Sequence, residues 1–126
     1  MFINLPNLND LIRQSRVRQD PYLITGYCTT GTRPDRNPKY KCYTPEHMFP
    51  GDVFPTYVGG PAYLMSRQAA VILYETALET PFFHLEDVFV TGIVAEEVGV
   101  PRRNAPEFRN NANPIPVAFL GCTLTR

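Results

Sequence analysis

Two neighbouring acidic residues, Glu86 and Asp87, have the type and position that would suit them to proton transfer. They begin a segment, residues 85–98, whose apolar spacing predicts a helix, and the positive end of a helix dipole favours ionised carboxylates in its first turn. An ionised carboxylate can accept a proton, and partial burial raises its pKa and strengthens it as a base. Adjacent helical residues point about 100° apart, so only one of the two can face a given site. Spacing alone favours the simpler interpretation, that both acids merely begin the helix.

A second candidate is the glycine pair Gly59 and Gly60, between a predicted strand and a predicted helix. A residue without a side chain lets a ligand or another stretch of backbone approach closely. The spacing is not that of a phosphate-binding loop, so it gives only weak support for a nucleotide. Taken alone, the pair favours a tight turn or a bulge over a binding site.

Cysteine and histidine suggest little further chemistry. The cysteines are three, an odd number: Cys28, Cys42 and Cys122. Cys28 and Cys42 flank a turn-rich stretch and can face each other across a hairpin, while free buried thiols explain all three equally well. No Cys-x-x-Cys or His-x-x-x-His spacing occurs, which argues against a zinc site. His84 is a candidate base or ligand, although a packed or surface histidine is the more usual state.

The elements that must position these residues follow from periodicity, caps and prolines. In chain order we expect a helix capped by Asn4 or Asn7 and ended by Pro21, strands Tyr22–Cys28 and Lys39–Thr44 paired as a hairpin, an ordered aromatic loop Met48–Tyr57, a strand Tyr57–Ser66, a helix capped by Ser66 and ended by Pro81, a helix Leu85–Val98 stopped by Gly99, and a strand Pro116–Cys122. This order predicts an α/β fold. The 126 residues leave room for one domain only.

Composition excludes several function classes. The 12 basic and 12 acidic residues give a net charge of zero, and the pI is about 6.7, so the chain has no field to attract nucleic acid or an anionic membrane. The longest apolar run, residues 69–74, falls far short of the roughly 20 residues that span a bilayer. The first residues lack the pattern of a signal peptide, so the chain as it stands is expected to stay in the cytosol.

Two linked motifs resemble the β-1,3-galactosyltransferase and β-1,3-N-acetylglucosaminyltransferase family of the Golgi, over nearly the whole chain. The family pattern Tyr-Pro-x-Tyr-x-x-Gly-x-Gly-Tyr-Val-Leu-Ser is matched by residues 54–66, FPTYVGGPAYLMS. About twenty residues later, the pattern Glu-Asp-Val-aromatic-x-x-Gly is matched by residues 86–92, EDVFVTG. The departures are mild, with Phe54 in place of Tyr and Ala62 where glycine is usual. Ala62 can tighten the pocket, which leaves the sugar and the acceptor open.

This resemblance implies the acceptor-side half of a GT-A-type mixed-sheet glycosyltransferase domain. The implied reaction is an inverting transfer of galactose or an N-acetylhexosamine from a UDP-sugar to the 3-hydroxyl of an acceptor glycan or glycoprotein. The resemblance places the general base at Asp87, with Glu86 orienting the acceptor or the surrounding loop. It implies that Gly60, Tyr57 and Tyr63 shape the floor of the sugar site.

The resemblance also implies features that we expect this sequence to lack. Family members bind UDP through an Asp-x-Asp motif and Mn²⁺, and that motif immediately precedes a segment like residues 1–4. A metal-binding histidine follows a segment like residues 122–126. We therefore expect residues 1–126 to be a partial galactosyltransferase-like domain, truncated at both ends, without the nucleotide-binding half, a metal site of its own or the anchor that would hold it on the lumenal side of the Golgi membrane.

Two hypotheses about function follow. In the first, the sequence is part of a β-1,3-glycosyltransferase, and the full protein is an enzyme. In the second, the short chain is the product itself, a non-catalytic remnant that binds a glycan or a protein partner. A half-domain of this size is hard to stabilise alone, which favours the first hypothesis.

Overall fold

A computed structural model describes residues 5–14 and 19–109 of the chain. Its helices and strands, in chain order, are α1 (Leu5–Gln14), β1 (Ile24–Thr29), β2 (Tyr57–Met65), α2 (Arg67–Glu79), a π-helix (Val88–Val94) continuing into α3 (Ala95–Glu97), β3 (Arg102–Asn104) and a 3-10 turn (Pro106–Phe108). Across the described residues, none of the helices combines the length and the apolar character needed to cross a membrane. The arrangement confirms the predicted α/β class.

The sheet has the order β2-β1-β3 and is mixed. Strand β1 runs antiparallel to β2, with Thr25 opposite Leu64 and Cys28 opposite Val58, and a bulge interrupts this pairing between Gly26 and Cys28. Strand β1 runs parallel to β3, with Thr25 opposite Arg103. The strand β3 was not predicted, because three residues after a proline carry too short a pattern to recognise.

The helices begin and end largely where the sequence predicts. The hydroxyl of Ser66 accepts from the backbone N–H of Ala69 at 3.3 Å and so caps α2, which ends at Thr80 just before Pro81. Gly99 has a φ of 69°, the left-handed conformation that ends a helix. Helix α1 confirms the first predicted helix; of its two expected caps, Asn7 lies inside the helix and is therefore not the cap, and Asn4 lies outside the described residues.

One core lies between the sheet and the helices that follow β2. Its fully buried aliphatic side chains are Ile24, Val58, Leu73, Val88, Val94 and Val100. The predicted aromatic loop is confirmed as an ordered segment, since Phe49 and Phe54 pack on Phe83 with ring centroids 6.1 and 5.7 Å away. The aromatic side chains of this loop therefore pack largely against the core.

The predicted hairpin between Tyr22–Cys28 and Lys39–Thr44 is wrong. The second segment forms turns, and a single bridge joins Asp35 to Tyr43. The side chains of Asp35 and Asn37 each accept the N–H two residues on, which gives the backbone a local alternative to a strand ladder. The guanidinium of Arg36 then fixes the loop by donating to the carbonyls of Thr44 and Gly51.

Both interpretations of the cysteines need correction. Cys28 carries a free thiol, whereas Cys42 is disulfide-bonded, so these two are not paired and the thiols are not all free. The hairpin that would have brought Cys28 and Cys42 together does not form. The predicted strand Pro116–Cys122 lies outside the described residues.

Candidate functional site

The candidate site lies where the outer edge of β2 meets the helical segment of residues 86–97, which we call the site helix. Strand β2 is an edge strand of the sheet, so one row of its backbone groups has no neighbouring strand among the described residues. The site helix packs along this edge. Its central turns are the π-helix Val88–Val94, a geometry found often at functional sites.

Asp87 is held at this edge by both of its carboxylate oxygens. Oδ2 accepts from the backbone N–H of Gly60 at 3.1 Å, and Oδ1 accepts from that of Val88 at 2.9 Å. Burial raises the pKa of Asp87, and the charge of Glu86 adds to the rise, while the bonds from Val88 and Gly60 oppose it. Asp87 is therefore an oriented carboxylate that binds a proton more readily than a free aspartate.

The close approach of Asp87 depends on the missing side chain of Gly60. A Cβ at Gly60 would lie 3.3 Å from Asp87 Oδ2 and 3.6 Å from its Cγ. At the neighbouring Gly59, a Cβ would make only ordinary contacts, 3.6 Å from the Tyr27 carbonyl oxygen and 3.9 Å from Pro61. The first motif thus provides a glycine that admits the carboxylate of the second.

Glu86 and Tyr63 form a second pair next to Asp87. The Tyr63 hydroxyl donates to Glu86 Oε1 at 2.6 Å. Burial raises the pKa of Tyr63, and the hydrogen bond to Glu86 and the negative charges of Glu86 and Asp87 raise it further. The hydroxyl consequently stays protonated and keeps donating, which orients the exposed Glu86 carboxylate.

The structure brings four of the five predicted site residues together: Gly60, Tyr63, Glu86 and Asp87. The fifth, Tyr57, lies in the hydrophobic core with 2% of its surface exposed. It packs against the site helix, where a Cβ on Gly92 would come 3.1 Å from the Tyr57 Cβ. The structure places Tyr57 below the site rather than at its surface.

The family follows from comparison of the whole sequence with known proteins. The family model for galactosyltransferase matches residues 1–106, which includes both motifs and the site they form. The chain belongs to the galactosyltransferase family.

Named relatives in this family carry two related activities. The chain is 31% identical over 100 residues to beta-1,3-galactosyltransferase 1 of Mus musculus and of Homo sapiens, covering 79% of this chain and 30% of each relative. It is 33% identical over 102 residues to lactosylceramide 1,3-N-acetyl-beta-D-glucosaminyltransferase B of Xenopus laevis, covering 79% of this chain and 26% of that protein. The chain therefore spans less than a third of the length of these relatives.

His84 lies outside the proton-transfer geometry of this galactosyltransferase-family chain. Its Nδ1 lies 3.1 Å from the sulfur of Met48, and its ring packs on that of Phe83 at 5.0 Å. Among residues 5–14 and 19–109, no three His, Cys, Asp or Glu side chains converge as metal ligands. The chemistry that the described site offers is proton acceptance at Asp87 and hydrogen bonding at Glu86.

Two further residues of the site helix, Thr91 and Gly92, belong to the site: Thr91 was missed in the sequence, and Gly92 was matched as the last residue of the second motif but given no role. Thr91 is fully buried, and its hydroxyl contacts both the backbone of Val58 and the carbonyl oxygen of Asp87. The available signal was its position four residues after Asp87, which places it on the same helical face. Gly92 admits the helix close to the strand, as its contact with Tyr57 indicates.

Proposed function

We propose that this chain is the acceptor-side part of an inverting, UDP-sugar-dependent hexosyltransferase with a GT-A-type domain. In the proposed reaction, the 3-hydroxyl oxygen of an acceptor glycan attacks the anomeric carbon of galactose or an N-acetylhexosamine. A new glycosidic C–O bond forms, the C–O bond to UDP breaks on the opposite face, and the hydroxyl proton passes to Asp87. The names of the relatives support this class of reaction.

The observation that carries the proposal is the position of the Asp87 carboxylate. It is only partly buried, so one side remains open to an acceptor, and it is oriented by the Gly60 and Val88 N–H groups. Its raised pKa moves it toward the range in which a general base works best. Adjacent backbone donors also stabilise the carboxylate in one orientation before the acceptor binds.

The neighbouring residues support a role in holding the acceptor. Glu86 is exposed, and Tyr63 fixes one of its oxygens, so the other can accept a hydrogen bond from an acceptor hydroxyl. Gly60 leaves the approach to Asp87 open, because it has no side chain there. Tyr57 supports the strand that carries Gly60, since it packs in the core under the site helix.

Cofactor and compartment belong to the proposal for the full-length enzyme. By resemblance, that enzyme uses Mn²⁺ with UDP and lies on the lumenal side of the Golgi membrane, acting on glycans or glycoproteins. The described residues do not provide three metal ligands together, so they do not fit a manganese site, and we route no step of the reaction through a metal. For the 126-residue chain alone we expect neither transfer nor metal-dependent UDP binding.

The test is Asp87→Asn in the full-length enzyme. Asn keeps the shape of the side chain and a hydrogen-bond acceptor but cannot take the proton, so kcat should fall at least about 100-fold while UDP affinity, measured by calorimetry, stays unchanged. Asp52→Asn is the matched control, because Asp52 is an exposed aspartate outside both motifs. Retention of more than a few per cent of wild-type turnover by Asp87→Asn would remove Asp87 from the role of base.

A further inference from the structure

The outer edge of β2 is covered by side-chain oxygens instead of another strand. The backbone N–H groups of Val58 and Gly60 both point to the site helix, in the stretch of β2 where the pairing with β1 is interrupted. Thr91 Oγ1 accepts from Val58 N at 2.8 Å, and Asp87 Oδ2 accepts from Gly60 N at 3.1 Å. The site helix thus makes two parallel contacts with one strand edge.

The spacing of these contacts fixes the register of the helix on the strand. Thr91 meets Val58 and Asp87 meets Gly60, so the two contacts together set which turn of the helix faces which strand residue. Gly92 allows this approach, because a Cβ there would lie 3.1 Å from the Tyr57 Cβ.

The Thr91 hydroxyl has a further contact, which reaches Asp87 directly. It lies 2.6 Å from the backbone carbonyl oxygen of Asp87 and 3.2 Å from that of Val58, and its single proton serves the nearer acceptor. Thr91 is fully buried, so this hydroxyl does not exchange its partners for water. One side chain therefore joins the strand edge to the backbone that carries the Asp87 carboxylate.

We infer that Thr91 is the positioning residue for Asp87, holding its carboxylate against the Gly60 N–H through the paired contacts of the site helix with β2. This inference rests on the proposed function for its effect on transfer, whereas its effect on the placement of Asp87 is independent of any activity. Without the Thr91 hydroxyl, the first turn of the site helix loses its second attachment to the strand, and the carboxylate moves toward water.

The experiment compares Thr91→Val and Thr91→Ser in the full-length enzyme. Val has nearly the shape of Thr but no hydroxyl, whereas Ser keeps the hydroxyl and loses a methyl group. Two measurements are made on each: a site-resolved NMR titration of the Asp87 carboxyl, using ¹³C-labelled aspartate, and kcat and KM for transfer. Asp87→Asn identifies the Asp87 signal.

We expect Thr91→Val to lower the pKa of Asp87 toward its ordinary value, since burial is the main cause of the rise. It should also lower kcat by about 10-fold or more and leave the KM for the UDP-sugar unchanged. This size is reasonable because displacing a reacting group by about 1 Å can lower a rate by more than that. Thr91→Ser should keep the wild-type pKa of Asp87 and a kcat within about twofold of wild type. If Thr91 mattered only for packing, the loss of its methyl group would be expected to lower kcat as well.

Two results would overturn the inference: an unchanged Asp87 titration in a folded Thr91→Val variant, or losses in Thr91→Ser as large as those in Thr91→Val. If Thr91→Val fails to fold because Val58 loses its acceptor, Thr91→Ser decides, with retained values supporting the inference and lost values overturning it. If the Asp87 titration responds as expected but transfer does not depend on Asp87, the positioning role stands and the proposed function fails.

Discussion

The backbone groups on the two outer sides of the β1–β2 pair find their hydrogen-bond partners in different ways. On the β1 side, backbone groups do the pairing, with Ile24 opposite Arg102 and Gly26 opposite Asn104 in a short parallel strand. On the β2 side, the backbone is met by the side chains of Asp87 and Thr91 from a helix. Both solutions satisfy backbone groups, and on the β2 side an ionisable carboxylate is itself a hydrogen-bond acceptor for the strand.

This difference explains why the site lies on the β2 side. A backbone carbonyl that accepts from a strand has no proton chemistry to offer, whereas a carboxylate keeps lone pairs beyond the one it uses for the strand. The first motif of the family supplies the strand edge and the second supplies the carboxylate. The glycine at position 60 is what lets the two meet.

Among the substitutions within the strands themselves, the largest effect is expected from Gly60→Ala, which acts on the β2 side. Its Cβ would lie 3.3 Å from Asp87 Oδ2, so the carboxylate must move away from the N–H that orients it. In the full-length enzyme we expect kcat for transfer to fall by about 100-fold, in line with the cost of a small displacement at a reacting group.

Gly59→Ala is the matched control, since its Cβ would make only ordinary contacts. It should stay within about threefold of wild-type kcat, apart from a small cost in stability. Equal losses in the two variants would mean that any glycine substitution in β2 harms the fold, and that the contact with Asp87 is not special.

A smaller effect is expected on stability, where Asp87→Asn should stabilise the folded state relative to wild type as pH rises. Asp87 has a higher pKa in the folded state than in the unfolded chain. Between these two pKa values the folded protein still holds this proton and the unfolded chain has released it, so the wild-type protein loses stability as pH rises through that interval. The Asn variant lacks this loss. Its melting temperature relative to wild type should therefore rise by a few degrees across that interval and then stay level up to neutral pH.

Thermal unfolding at several pH values measures this difference, with Asp52→Asn as the exposed control. A relative melting temperature for Asp87→Asn that falls as pH rises would show that the folded state favours the ionised carboxylate. That result would contradict the conclusion that burial raises the pKa of Asp87 by more than the two backbone hydrogen bonds lower it.

The smallest effect is expected on the β1 side, from Asn104→Ala. Asn104 Oδ1 accepts from the backbone N–H of Cys28 at 3.1 Å, near the point where the β1–β2 pairing is interrupted. Losing one hydrogen bond to a solvent-accessible N–H should cost about 0.5–1 kcal/mol of unfolding free energy and leave kcat unchanged. Denaturant unfolding and a transfer assay check this; a large loss of transfer would mean that the two edges are coupled.

Local signals in the sequence predicted most of the helices and the two long strands. The Ser66 cap and the Gly99 stop depend on neighbouring residues only, and both are observed. The alternation in Lys39–Thr44 was misleading, because side chains of Asp35 and Asn37 satisfied nearby N–H groups first. Local patterns thus predict an element correctly where a capping residue sets its end. They fail where nearby side chains compete with a neighbouring strand for the backbone N–H groups.

The site was only partly predictable for a related reason. Asp87, Glu86, Gly60 and Tyr63 were found through the motifs, and the structure brings them together. Thr91 and the π-helix were not, because both depend on how the helix meets the edge of β2, which lies more than thirty residues earlier at Val58. The burial that raises the pKa of Asp87 is likewise a property of the folded chain that the local sequence does not show.

The most direct test of the central claim is the pH dependence of kcat/KM for transfer to the acceptor. If Asp87 is the base, kcat/KM should fall on the acid side as this carboxylate becomes protonated, with an inflection above the ordinary aspartate value of about 3.9. The same limb should be absent from the residual activity of Asp87→Asn. An inflection at or below about 3.9, or an acid limb that persists in Asp87→Asn, would contradict the account.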